Sequence, residues 1–414
     1  MCYNNEVEIK SRRKTMENTA NERSAFKKAF GLGFTGIFAY FASYYLRNLL
    51  SVAAPAMQAT GEYTAESIGT LSSIYFLVYA MGQFVNGLIG DKINPKYMIS
   101  IGLTITATVI TAFPLVPFWW MQVACFALMG VGLSMLRGPI MKMVSENLSK
   151  TYSRVICTFL SAVSFVGPLV ASALAIIFKW NIMFIVAGLS TYAIAAIVFI
   201  CLTIFERKGM FVFQSNKKAG LGGYLKLFGL DHFVFYLLVG GIVEIAGSAI
   251  TFWIPTYLSD ALKIDKVTTN LLYSAITIVT CLAPFFALFI FKIIKEKDIV
   301  ILRCGFFLAV VSFIGMIFIP NTYVKIGCLA AAKFFLACCS SMLWNIYIPG
   351  MGKTGKVASI NGVINCTGYL SASVASKVFS KLLGLSWTGV ILVWCGIAAV
   401  GLVASLIVKQ KKYN

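Results

Sequence analysis

The chain has 414 residues and a formal net charge of +20; 59% of its residues are hydrophobic and only 12% are charged. A soluble domain carries about a quarter charged residues, so this composition excludes a soluble globule. It does not favour a nucleic-acid partner either, because the basic residues lie mostly in short connections between apolar runs, where orientation signals of membrane proteins occur.

The N-terminal segment 1–29 is polar and of mixed charge, and the first apolar run follows it directly. A secretory signal would instead place a short apolar core near the start, followed by a cleavage site with small residues. We therefore expect residues 1–29 to form a cytoplasmic tail and the first apolar run to be retained as a membrane anchor.

Apolar runs long enough to cross a bilayer, which requires about 20 residues per helix, recur along the chain. They predict an all-α membrane protein with twelve transmembrane helices. The predicted spans are 30–54, 67–89, 97–116, 119–143, 155–178, 182–204, 233–258, 270–291, 300–319, 322–348, 357–379 and 388–408.

The longest polar connection, 206–230, lies between the sixth and seventh predicted spans. It divides the chain into an N-terminal six-helix bundle (30–205) and a C-terminal six-helix bundle (231–408), which leaves 409–414 as a second cytoplasmic tail. Two bundles of similar size are typical of secondary transporters built from related repeats.

The distribution of basic residues predicts the orientation. With both termini in the cytoplasm, the first outward loop, 55–66, contains no basic residue, and the basic residues left outside are Lys179, Lys263, Lys266, Lys325, Lys377 and Lys381. The bias of basic residues towards the inside therefore predicts cytoplasmic termini. The short loops indicate a bacterial cytoplasmic (inner) membrane, and we expect a monomer.

The loop after the second span has a distinctive pattern. It contains Gly87, Asp91, Lys92 and Lys96 within ten residues. Glycine allows helices to approach closely, Asp91 can satisfy the free N–H groups at a helix start or pair with a neighbouring base, and the two lysines would hold the loop at the cytoplasmic face. This pattern resembles the G-x-x-x-D-[RK] signature of the major facilitator superfamily, which implies a twelve-helix fold and a latch that stabilises one of two conformations.

The details of this loop resemble one branch of that superfamily. Asn94-Pro95-Lys96 follows where most members continue with Gly-Arg, and this form is similar to the organophosphate:phosphate antiporters, which carry glycerol 3-phosphate or hexose phosphates. Residues 44–48, 253–258 and 361–370 resemble the first, seventh and eleventh helices of the same family.

Few charges lie within the predicted spans. Each costs about 2.5–3.5 kcal/mol at the centre of a span and marks a functional hypothesis. They are Arg47, Arg137, Lys142, Glu244 and Lys333. They fall on spans one, four, seven and ten, which the resemblance implies are the helices around the central cavity. Lys142 is close to the cytoplasmic end, and we assign it a structural or topological role.

Arg47 is the first candidate for substrate binding, because a guanidinium offers a rigid fork of donors that matches phosphate or carboxylate. The family resemblance implies a phosphate-binding arginine in this stretch; the alternative is an arginine that reaches the interface. Arg137 is the second candidate, at a position where the related antiporters tend to have tryptophan.

The family's second arginine, in span seven, is absent here. Arg137 or Lys333 would then supply the second positive charge, or the substrate is a monoanion such as a carboxylate. Glu244 either carries a coupling proton or pairs with Lys333. Tyr45 and Asn361 either contact substrate or form hydrogen bonds between helices.

Together these features predict a secondary transporter for a small organic anion, acting by alternating access and favouring exchange of organophosphate or phosphate. The alternatives are a proton-coupled symporter of a carboxylate or other organic anion and, after it, a sugar or drug exporter. A channel or a membrane-embedded enzyme is disfavoured, because the sequence contains no nucleotide-binding loop, metal-ligand cluster or nucleophile–base pair. We expect no cofactor, and no partner beyond the solute and the lipid bilayer.

Overall fold

A computed structural model describes residues 2–213, 227–230, 232–383 and 386–409. These residues form helices and short connections, and no strand occurs among them. The central part of the predicted loop 206–230, the predicted domain boundary at residue 231 and the end of the C-terminal tail lie outside the described residues.

The N-terminal part of the chain contains seven helices among the described residues. They are α1 (Cys2–Ala59), α2 (Ala65–Gly90), α3 (Pro95–Ala112), α4 (Trp119–Ser134), α5 (Arg137–Asn147), α6 (Lys150–Ile177) and α7 (Trp180–Arg207). A 3-10 turn (Phe113–Leu115) follows α3. Because α1 begins at Cys2, most of the predicted tail continues the first helix and does not form a separate segment.

The C-terminal part is more interrupted. Its described helices are α8 (Phe233–Glu244), α9 (Thr251–Thr256), α10 (Lys266–Ile293), α11 (Asp298–Phe318), α12 (Thr322–Ser341), α13 (Ile348–Gly350), α14 (Val357–Leu383) and α15 (Trp387–Ile407). Three π-helical segments, Ile245–Ile250, Tyr257–Ala261 and Met342–Tyr347, join some of them, and a 3-10 turn covers Gly352–Thr354.

Within the described residues, ten helices are long and apolar enough to cross a membrane. A shorter apolar helix, Phe233–Ser248, corresponds to the seventh predicted span. Helix α14 corresponds to the eleventh but is not among the ten. A multi-pass membrane protein is therefore confirmed, whereas the count of twelve spans and the orientation of the termini stay predictions.

The fourth predicted span is not one continuous helix. Helix α4 ends at Ser134, Met135 and Leu136 form a turn, and α5 starts at Arg137. Pro139 favours the break, because proline has no N–H group to donate to the preceding turn and fits best in the first turn of a helix. The break places Arg137 at the first position of α5, facing the interior.

The two halves pack against each other through α2, α5 and α14. Gly362 on α14 lies against the backbone of α2, where a Cβ atom on Gly362 would be only 2.9 Å from Gly87 Cα. A Cβ on Gly87 would in turn be 3.0 Å from the carbonyl oxygen of Ala358. Paired glycines thus allow the two helix backbones to come into direct contact.

Candidate functional site

A central cavity of about 1160 Å³ lies between the two halves. Its lining includes Arg47 and Arg137 from the N-terminal half and Glu244, Lys333 and Tyr369 from the C-terminal half. Ser51, near the C-terminal end of α1, and Gly69, near the N-terminal end of α2, also line it. At the opposite end, the α2–α14 contact closes the space between the halves. The cavity is therefore open towards one end of the helices and closed at the other.

Arg47 lies inside an aromatic shell on the cavity wall. One guanidinium nitrogen donates a 2.8 Å hydrogen bond to the hydroxyl of Tyr369 on α14. The guanidinium carbon lies 4.9 Å from the ring centre of Phe76 and 5.3–6.0 Å from the rings of Tyr369, Tyr79 and Tyr44. These rings offset the cost of an isolated charge by cation–π attraction, and the remaining N–H donors are available to an anion.

Arg137 has a similar environment at the floor of the cavity. It donates a 2.8 Å hydrogen bond to the hydroxyl of Tyr40, and its guanidinium carbon lies 4.0 Å from the centre of the Trp344 ring. Tyr40 belongs to α1 and Trp344 to the π-helical segment Met342–Tyr347, so this arginine lies where the two halves meet.

Neither arginine has an acidic partner within ion-pair distance among the described residues. Glu244 also lines the cavity, but its carboxylate accepts a 2.8 Å hydrogen bond from Ser248. Two guanidinium groups that are paired only with neutral rings and hydroxyls make this part of the cavity electropositive, which favours an anionic ligand.

Lys333 is buried, and its amine contacts the backbone. It donates to the carbonyl oxygen of Ala246 at 2.6 Å and also to the hydroxyl of Thr251. Ala246 lies in the π-helical segment Ile245–Ile250, in which the regular helix pattern is interrupted. The predicted ion pair between Lys333 and Glu244 is not formed in this conformation; instead, the ammonium group satisfies a carbonyl of an interrupted helix.

Two predicted substrate contacts lie away from the cavity lining. The hydroxyl of Tyr45 is 2.7 Å from the carbonyl oxygen of Ala187 and from the hydroxyls of Ser190 and Thr191 on α7, so it joins two helices of the same half. Asn361 is fully buried on α14, and neither its amide nitrogen nor its amide oxygen has a hydrogen-bond partner among the described residues.

At the closed end, Asp91 links the two halves. Its fully buried carboxylate accepts hydrogen bonds from the backbone N–H groups of Ala358 (3.2 Å) and Ser359 (3.1 Å) and from the Ser359 hydroxyl (2.5 Å). These N–H groups belong to the first turn of α14, where a helix leaves its donors free. Asp91 thus caps a helix of the other half.

Lys142 completes this buried cluster. Its amine donates a 2.9 Å hydrogen bond to the Asp91 carbonyl oxygen and lies 3.7 Å from the Asp91 carboxylate and 3.8 Å from that of Glu146. Burial nevertheless raises the pKa of the Asp91 carboxyl above its ordinary value, because desolvation outweighs the hydrogen bonds from Ser359 and the charge of Lys142.

The two lysines of the loop have different surroundings. Lys92 is exposed, whereas Lys96 forms an ion pair with Glu206 near the end of α7. Asn94 donates a 2.8 Å hydrogen bond to the same carboxylate. Lys96 therefore fixes the loop to its own half and does not contact the other half through this pair.

Sequence reasoning missed the residues that surround the arginines. Trp344 and Tyr369 lie far along the chain from both arginines, and the aromatic residues Tyr40, Tyr44 and Tyr79 in apolar spans carry no distinguishing signal. A second contact between the halves, from Arg154 to Glu296, was also missed, because Arg154 lies near the start of a helix and Glu296 in a connection, where charges serve as orientation signals.

Three comparisons bear on this arrangement. The sequence profile of the Major Facilitator Superfamily matches residues 36–376. The membrane sensor protein UhpC of Salmonella typhimurium is 26% identical over 394 residues, covering 87% of both chains. Human sugar phosphate exchanger 3 is 20% identical over 397 residues, covering 83% of this chain and 80% of the exchanger.

The fold is similar to that of a solved transporter. The crystal structure of the Major Facilitator Superfamily transporter FucP in the outward conformation superimposes with a TM-score of 0.70 at 13% identity, covering 92% of this chain and 99% of FucP. Such a likeness establishes the fold alone.

Proposed function

This chain belongs to the Major Facilitator Superfamily, as an organophosphate:phosphate antiporter-like member, and on that premise we propose that it exchanges small phosphorylated anions across a membrane by alternating access. The observation that carries the proposal is Arg47. It is a guanidinium inside the central cavity that has no acidic partner among the described residues and is held by the Tyr369 hydroxyl of the opposite half. Arg137 adds a second cationic group.

The charge balance of the cavity supports exchange rather than uniport. Arg47 and Arg137 repel each other in a low-dielectric space, and a bound dianion would offset this repulsion when the halves close around it. A carrier without an anion would retain the repulsion and change conformation slowly. We therefore propose that rapid transport requires an anion on both sides of the membrane.

A sensor is the second candidate function. The similarity to UhpC, named as a membrane sensor, extends over 87% of both chains. A sensor would bind the same anion in the same cavity but would signal through its conformation without net exchange. Binding without exchange would therefore support the sensor over the transporter.

Counterflow in proteoliposomes tests the proposal. Vesicles loaded with phosphate are diluted into labelled phosphate, glycerol 3-phosphate or glucose 6-phosphate, with binding measured in parallel by the shift in thermal unfolding. Arg47→Lys keeps the charge but loses the planar fork, and the loss of one charge-assisted hydrogen bond, about 1.5–3 kcal/mol, predicts at least a tenfold drop in the affinity for phosphate.

The matched control is Arg23→Lys, the same substitution at an exposed position of the same helix. We expect Arg23→Lys to exchange phosphate at the rate of the unmodified protein. Folded protein that neither binds nor exchanges any of the three anions would refute the proposal and turn the search to carboxylates with an imposed pH gradient.

A further inference from the structure

A second, much smaller cavity adjoins the floor of the central cavity. Its volume is about 10 Å³, and it lies where three helices of the N-terminal half meet the π-helical segment Met342–Tyr347. Its lining includes Tyr40, Arg137, Ser161 and Trp344, which also line the central cavity, and Asn345, which does not. A space of this size holds about one oxygen atom.

Hydrogen-bond donors face this small cavity. Asn345 is only 1% exposed, and its amide nitrogen has no hydrogen-bond partner among the described residues. The amide oxygen of Asn345 is already used, because it accepts a 2.9 Å hydrogen bond from the hydroxyl of Ser161. In this orientation of the amide its two N–H groups are unused donors, while the Ser161 hydroxyl also lies 3.1 Å from the carbonyl oxygen of Cys157.

Arg137 supplies further donors on the same side. A guanidinium has five N–H groups. Arg137 donates one of them to the Tyr40 hydroxyl. The ring of Trp344, 4.0 Å from the guanidinium carbon, holds the group in one plane. The result is a rigid set of donors from both halves around a space for one atom.

We propose that Arg137 and Asn345 form a second anion subsite, which binds a carboxylate or phosphoryl oxygen of the transported molecule while Arg47 binds its phosphate. The inference rests on the proposed function and adds a substrate class to it, molecules that carry two anionic groups. A buried donor set that a ligand leaves unpaired costs binding energy, so the subsite discriminates against analogues that lack the second anionic group.

The subsite also couples recognition to conformation. Arg137 belongs to the N-terminal half and Asn345 to the C-terminal half, and they are brought together only while this end of the protein is closed. A ligand that engages both residues stabilises the closed end by its differential affinity for the two conformations. A ligand with a second anionic group therefore favours the conformation in which this end of the protein is closed.

Matched ligand pairs test the subsite. Binding to the full-length protein in detergent is measured for glycerol 3-phosphate and 3-phosphoglycerate, which differ by a hydroxymethyl in place of a carboxylate, and for fructose 6-phosphate and fructose 1,6-bisphosphate. The first pair tests a carboxylate and the second a phosphoryl group. We expect at least a tenfold preference for the more highly charged ligand in one pair.

Two variants locate the preference. Arg137→Gln removes the charge, and Asn345→Asp replaces the donating amide by a carboxylate of the same shape that repels an anion. We expect each to reduce the preference to less than threefold, and thermal unfolding confirms that each is folded. Equal affinities in both pairs, or a preference that survives in both variants, would overturn the subsite but not the phosphate site, whereas failure of the unmodified protein to bind any of the four ligands would overturn both.

Discussion

Arg154 and Glu296 form a two-pronged ion pair between the two halves, with nitrogen–oxygen distances of 2.5 and 3.1 Å. Arg154 lies in the first turns of α6, and Glu296 lies in the connection between α10 and α11. This contact and the Asp91 cap of α14 join the halves at the same end of the molecule. The two contacts differ in burial, because the Glu296 side chain is 46% exposed and Asp91 is fully buried.

The exposed contact should be the weaker of the two. We expect Glu296→Gln to destabilise the closed end by about 1 kcal/mol, because water and salt screen the Glu296 carboxylate although the Arg154 side chain is only 7% exposed. Spin labels at positions 60 and 263 would lie at the opposite end of the molecule. The distance between the two labels, measured by double electron–electron resonance, would report the fraction of molecules that are open at that end. A change larger than tenfold in the open-to-closed ratio would contradict this estimate.

The buried contact should dominate. Asp91→Ala removes the cap of α14 and leaves the Lys142 ammonium without its nearest carboxylate partner, a change that typically costs about 3–5 kcal/mol for a buried pair. We expect the same spin labels to report a shift of most molecules to the alternative conformation. Ser359→Ala, which removes one hydroxyl donor and keeps both backbone donors, is the matched control and should have a much smaller effect.

The Asp91 cap should also respond to pH. Burial raises the pKa of this carboxyl in the closed conformation, so that conformation retains its proton to a higher pH than a solvated carboxyl does. The stabilisation that comes from this proton is complete at low pH and is lost as the pH rises through the raised pKa. Titration of the spin-label distances from pH 4 upward should therefore show a falling closed fraction, and Asp91→Asn should flatten that component.

The sequence predicted features that depend on a short stretch of chain. The charged loop after α2 is such a stretch, and in the structure Asp91 contacts both a helix start and Lys142, the two kinds of contact expected of it. Partners far apart in the chain were not predictable: Arg47 meets Tyr369 across 322 residues. Hydropathy gave no sign of the turn at Met135 and Leu136, because both residues are apolar; the signal in the sequence was Pro139, which follows three residues after Leu136.

The crossing of α2 and α14 provides a test that involves no charge. Gly362→Ala would place a methyl group against the α2 backbone, 2.9 Å from Gly87 Cα, and neither backbone can move without separating the helices. We expect the substitution to open the closed end to a degree similar to Asp91→Ala. Gly396→Ala is the matched control, because a Cβ at Gly396 would contact nothing within 4 Å; a similar effect of both substitutions would contradict the role of this crossing.

Substitution of Lys333 tests whether a buried charge beside the cavity supports the fold or binds the substrate. Its amine bonds to the Ala246 carbonyl, which also accepts a 3.0 Å hydrogen bond from the Thr251 hydroxyl, so two donors support the π-helical segment. Lys333→Met keeps an unbranched side chain one atom shorter and removes the charged donor. We expect it to lower the free energy of unfolding by about 1–3 kcal/mol while the affinity for phosphate changes less than threefold. Lys333→Arg, which retains a donor, should recover part of the stability. A variant of unchanged thermal stability that binds phosphate at least ten times more weakly would instead place Lys333 in the anion site and supply the cation that span seven lacks.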